Sequence, residues 1–125
     1  MNLHVILIEL AWEYAKDNCR ARKKHVSFIL QNNRIICKAC NGFEIPSRYA
    51  FMGYRSLHSE VNAIMKLNVP KENLHLYNFR FNNTGQLKMS CPCSICMPWC
   101  ESVFDSITYS TNEGRLVTMK NVYAR

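Results

Sequence analysis

A chain of 125 residues with 48% hydrophobic side chains is long enough for one domain with a real core, and too short for a second beyond a tail. Its seven cysteines are odd in number and no basic, apolar leader precedes them. That argues against a secreted disulfide framework and for a reducing, cytoplasmic setting in which thiols are available to a metal. The net charge of +7 favours anionic partners such as nucleotides or nucleic acid, or serves solubility alone.

The elements follow in chain order. Leu3, Ile6, Leu7, Leu10 and Tyr14 recur at helical spacing and predict a helix with one apolar stripe. This stretch is interrupted by His4 and Glu9 and is too short to span a bilayer, so no membrane segment is expected. The basic run Arg20, Arg22, Lys23, Lys24 and His25 reads as solvated surface or as a phosphate contact. Residues 26–30 and 34–39 are strand-like on either side of the turn candidate Asn32-Asn33, which predicts a hairpin. Asn41-Gly42 breaks the pattern, and residues 43–57, with Pro46 and Gly53, predict a loop or short helix in a long connection.

A second helix is predicted from about His58 to Leu67, stopped ahead of Pro70. A strand over 74–81 ends in the turn Asn82-Asn83-Thr84-Gly85. A third helix is expected from near Cys93 to Phe104, then strands over 106–110 and 116–119 about Asn112-Glu113-Gly114. Helices and strands mixed in this order predict an α/β fold with one sheet and helices on its faces. Residues 1–125 form a single domain in this reading, with a core at about 24–119 and an N-terminal helix and basic linker before it.

The chemistry-bearing residues are His58-Ser59-Glu60 and Pro92-Cys93-Ser94-Ile95-Cys96. Two cysteines three apart at a helix start share a face and can reach one ion. Zinc takes thiolates and imidazole in a tetrahedral shell, and three protein ligands leave a fourth place for water. Water bound there loses a proton near neutral pH, and a carboxylate two residues from the histidine stands ready to carry it. A lone C-x-x-C would fit a zinc ribbon or redox pair equally well. Joined to H-x-E at a helix start, it is the signature of zinc base deaminases. Cys37 and Cys40 form a second C-x-x-C, but in a strand they point to opposite faces and read as core or surface thiols. Cys19 and Cys100 read as packing or surface thiols.

Residues 57–64, Leu-His-Ser-Glu-Val-Asn-Ala-Ile, resemble the H-A-E-x-N-A-I segment of deoxycytidylate deaminases. The stretch from residues 88–93 through 107–111 resembles the S-x-P-C-x-x-C…Y-Y-S stretch of small viral and cellular members, and Asn41-Gly42 is similar to the family's Asn-Gly after the second strand. The resemblance is to the cytidine deaminase-like superfamily and covers about residues 24–119. It implies a three-layer α/β/α sandwich around a central five-stranded mixed sheet. It implies Zn2+ held by His58, Cys93 and Cys96, with Glu60 as proton shuttle. Asn41 would bond the substrate sugar, and backbone groups near Ser59 and Cys91 would read the base edge. Tyr109 would line the pocket near the sugar or phosphate, or else pack in the core. The sequence departs from the family at Ser59, where alanine is usual, and at Cys91, whose thiol would compete for metal. Residues 43–57 contain no Cys or His and so lack the extra zinc site of some members.

The leading expectation is hydrolytic deamination of a cytosine base to uracil in a nucleoside or nucleotide of the dCMP or CMP type. The second is a deaminase acting on cytosine or adenine in single-stranded DNA or RNA, supported by the basic run and by Tyr49, Phe51 and Tyr54 beside Arg48 and Arg55. The third is a silent zinc protein used for binding, against which the retained Glu60 argues. Association into a homo-oligomer through Trp12 or Trp99 is compatible with the sequence, as is burial of both.

Overall fold

The computed structural model describes residues 2–19, 23–42 and 58–120. The expectations for residues 43–57 and for Arg20 and Arg22 lie outside them. The described elements run α1 (Leu3–Asn18), β1 (Lys24–Gln31), β2 (Arg34–Cys40), α2 (Ser59–Lys66), β3 (Leu74–Phe81), β4 (Leu87–Lys88), α3 (Cys96–Val103), β5 (Ser106–Ser110) and β6 (Leu116–Lys120).

The sheet order is β2-β1-β3-β5-β6, with β4 added against the end of β3. The β3–β5 pair is parallel and the others are antiparallel. The sheet is therefore mixed, as expected, but has six strands and not five. The extra one is the two-residue β4, which pairs with Arg80 and Phe81 just past the point where β5 stops following β3. A segment that short carries no alternation to read.

Turn chemistry sets the first hairpin. Asn32 and Asn33 both hold positive φ, 52° and 62°, the conformation that a tight two-residue turn demands and that asparagine tolerates. Val26 to Leu30 are all buried, because β1 is covered on both faces.

Side chains alternate across the sheet and divide the core in two. One face gathers Val26, Phe28, Leu30, Phe79 and Phe81 under Leu7, Ala11 and Ala15 of α1. The other gathers Ile29, Ala39, Leu74, Leu76 and Ile107 under Ala63 of α2 and Cys100, Val103 and Phe104 of α3. The result is α1, sheet, then α2 with α3. Each fully buried phenylalanine contributes about 1.5–3 kcal/mol.

Two expectations are corrected here. The stripe of α1 is rotated: Leu3 and Leu10 are exposed, and the helix meets the sheet through Leu7, Ala11 and Ala15. Apolar residues lie nearly all round this helix, so spacing alone did not choose the face, and two alanines allow the closer approach. Cys19 and Cys40, read as packing or surface thiols, are joined in a disulfide that ties the end of α1 to the end of β2. No helix among the described residues is long and apolar enough to cross a membrane.

Candidate active site

His58 is the N-cap of α2, with extended backbone at φ −74° and ψ 151°. Cys93 lies in the turn that leads into α3, and Cys96 is that helix's first residue. The helix begins three residues later than expected. Its entry is closed by Met97 N–H donating to the Cys93 carbonyl at 2.8 Å, while Cys96 N–H points at the Cys93 Sγ at 3.5 Å. Because α2 and α3 pack against each other, their first turns meet.

His58 Nδ1 lies 3.3 Å from Cys96 Sγ and 3.8 Å from Cys93 Sγ. The three donor atoms all lie within 4.8 Å of one another. In a tetrahedral zinc site, with Zn–S near 2.3 Å and Zn–N near 2.0–2.1 Å, the N···S edge is about 3.6 Å. One imidazole nitrogen and two sulfurs at these separations suit a zinc ion. No other group of His, Cys, Asp or Glu side chains among the described residues meets the same test.

Glu60 sits in the first turn of α2 and is only 4% exposed. An ionised carboxylate that deep needs a partner. Asn78 of β3 supplies it, donating one amide N–H to Glu60 Oε2 and the other to the Ser90 carbonyl at 3.1 Å. The Asn78 carbonyl accepts from the Ser27 hydroxyl, which lies 2.8 Å from the Ser59 hydroxyl. Each hydroxyl has one proton, so Ser59 donates to Ser27 and Ser27 to Asn78. Ser90 Oγ donates back to the Asn78 carbonyl of the main chain at 2.8 Å and accepts from Ser110 N–H at 2.7 Å. The segment entering Pro92-Cys93 is thereby pinned to β3 and β5.

Ser27, Asn78 and Ser90 were not singled out from the sequence. A signal existed: Leu74, Leu76 and Asn78 share one strand face, and a polar residue in a buried phase needs a polar partner. Ser27 interrupts a wholly buried strand in the same way.

Asn41 bridges the start of β1, accepting from His25 N–H at 3.1 Å and donating to the Lys23 carbonyl at 3.0 Å. It lines a cavity of about 200 Å³ with His25, His58 and Ser59. The Ser59 side chain is buried and turned to Ser27. Cys91 is exposed as a residue, and partial desolvation of its thiol, then the charge of Glu60, raises its pKa. Tyr109 lies on β5 in register with Asn78, on the face under α2 and α3. Cys100 is buried, and its pKa is raised by that burial and then by Glu60, which keeps it a neutral thiol. Burial, then the charges of Arg80, His58 and Lys23, lowers the pKa of His25 to about 4. Cys37 is not part of this group; its thiol donates to the Ala63 carbonyl of α2 at 3.4 Å.

No family model matches the sequence, and no curated protein matches it. The structure is similar to the crystal structure of a cytidine deaminase from Burkholderia pseudomallei, with a TM-score of 0.64 over 97% of this chain and 94% of that one. The architecture is therefore that of the cytidine deaminase fold. Sequence identity across the match is 16%, so what the two chains share is the fold.

Proposed function

We propose that this chain is a zinc-dependent hydrolase that deaminates a cytosine base in a nucleoside or nucleotide. The observation that carries this reading is a buried carboxylate, Glu60, on the same helix start as one member of a His-Cys-Cys donor group. A structural zinc site has no use for a buried carboxylate beside it. Zinc held by His58, Cys93 and Cys96 supplies Lewis acidity, making a water molecule a nucleophile near neutral pH.

The chain's own residues do the rest. Asn78 holds Glu60 Oε2, fixing the carboxylate plane, and Oε1 does the proton work. Glu60 takes a proton from the attacking water and delivers it to the ring nitrogen of the base. It then carries a second proton to the amine, which leaves as ammonia while the base becomes uracil. Asn41, with one N–H and one lone pair beyond its two backbone bonds, would meet the sugar. Backbone groups near Ser59 and Cys91 would read the base edge. Tyr109 would stand near the sugar or phosphate.

The test is to incubate zinc-loaded protein with dCMP, CMP, deoxycytidine, cytidine, adenosine, guanine and a cytosine-containing single-stranded oligonucleotide, and to resolve the products by chromatography. Conversion of a cytosine monomer is expected, and its loss in Glu60→Ala at unchanged zinc content. Conversion of the oligonucleotide alone would move the reading to the nucleic-acid substrate. No conversion of any substrate, with one zinc bound per chain, would leave a silent zinc protein.

A further inference from the structure

β1, β3 and β4 lie side by side at one end of the sheet. Their register sets His25 opposite Arg80, and Arg80 opposite Lys88. Residues directly opposite across an antiparallel pair share a face. That face is the one carrying Ser27 and Asn78, because residues two apart on a strand point the same way. The row His25, Arg80, Lys88 thus stands one pleat, about 7 Å, beyond the row that holds Glu60.

Two cations set directly opposite each other on neighbouring strands weaken the pairing. Arg80 and Lys88 are such a pair, and Lys23 joins them. The three line a cavity of about 470 Å³ whose other polar walls are Asn82, Asn83 and Asn112. No acidic side chain lines it among the described residues. None of the three cations has an ion pair among those residues either. Glu113 borders the neighbouring cavity, which Lys88 also lines. The basic cavity adjoins the site: Asn41 bonds the Lys23 carbonyl, and His25, which pairs opposite Arg80, lines one cavity with Asn41 and His58.

We infer that Lys23, Arg80 and Lys88 form a phosphate subsite of the active centre, and that the chain acts on a nucleoside monophosphate in preference to the free nucleoside. The inference rests on the deaminase reading above. A phosphomonoester carries about −1.5 to −2 charge at pH 7, against −1 for each phosphate of a strand. Three cations converging on one walled cavity suit the monoester.

The test measures equilibrium binding of dCMP, deoxycytidine, inorganic phosphate and a cytosine oligonucleotide to the zinc-loaded full chain. Binding of dCMP at least about tenfold tighter than deoxycytidine is expected, with inorganic phosphate competing for it. Arg80→Gln with Lys88→Gln should erase that preference while zinc content and deoxycytidine affinity hold. Lys23→Gln, at an exposed position where folding is not at stake, should weaken dCMP several-fold and leave deoxycytidine unchanged. Equal affinity for dCMP and deoxycytidine, a preference that survives the substitutions, or tighter binding of the oligonucleotide than of dCMP would overturn the inference. If dCMP binds with the expected preference but is never converted, the subsite stands and the deaminase reading falls. If dCMP and deoxycytidine are converted with equal kcat/KM, the reaction stands and the subsite falls.

Discussion

An asparagine amide has two N–H donors and a carbonyl, and at Asn78 each has a partner: Glu60, the Ser90 carbonyl and the Ser27 hydroxyl. The Ser90 and Ser27 bonds forbid the flipped amide, so Glu60 always meets a donor there and never an acceptor. In the proposed chemistry Asn78 is a positioning residue, acting through the carboxylate. Asn78→Asp keeps the shape and sets a second carboxylate against the first. Two carboxylates so close do not both ionise, and one retains a proton. We expect kcat to fall by about 10²-fold or more, the range of general acid–base contributions, with the acid limb of the pH profile moved to higher pH. A loss of kcat with an unmoved profile would mark Asn78 as merely structural. The deaminase resemblance led to an expectation of alanine at position 59; the serine found there has its hydroxyl at the head of the chain that ends on Asn78. The H-x-E and P-C-x-x-C spacings made the donor residues legible, because chemistry fixes those intervals. Ser27, Asn78 and Ser90 come from three separate segments, and what joins them is strand register, which no local pattern encodes.

At the scale of elements, hydrophobic period and turn residues revealed all three helices and the longer strands, and failed where those signals run out. Apolar residues nearly all round α1 hid its true face, and β4 is too brief to alternate. Gly85 shows what the sequence encodes through a single residue: its φ is +86°, and a Cβ there would come within 2.9 Å of the Trp12 ring of α1. That turn signal was legible, but its packing role was not. The disulfide was hidden for another reason, since Cys19 and Cys40 are 21 residues apart and spacing says nothing of which cysteines meet. A bridge closing a loop of that length stabilises by about 3 kcal/mol in the chain-entropy account. Cys19→Ser with Cys40→Ser should lower stability by that amount in urea unfolding under oxidising conditions. Wild type in strong reductant should lose most of the same difference. Superimposable curves for wild type with and without reductant would show that the bridge adds nothing. In a reducing compartment, the setting expected from the cysteine count, the pair would be held as thiols.

Across the whole molecule, the sheet's two faces do different work. The α1 face is a store of phenylalanine, with Phe28, Phe79 and Phe81 all buried and in ring contact. The α2 and α3 face spends its polar residues at one end, where Ser27, Asn78, Arg80 and Lys88 lead from the buried carboxylate to a basic cavity. The net charge of +7 said that an anion is favoured, without saying where. The structure concentrates three of those cations next to the candidate site. We propose that His58, Cys93 and Cys96 form a three-ligand zinc centre left open for water beside Glu60. X-ray absorption at the zinc edge of the purified chain tests it most directly. One zinc per chain is expected, with two sulfurs near 2.3 Å and nitrogen or oxygen ligands near 2.0–2.1 Å, unchanged in Glu60→Gln. A shell of three or four sulfurs, drawing in Cys91 or Cys100, or no zinc at all, would contradict it.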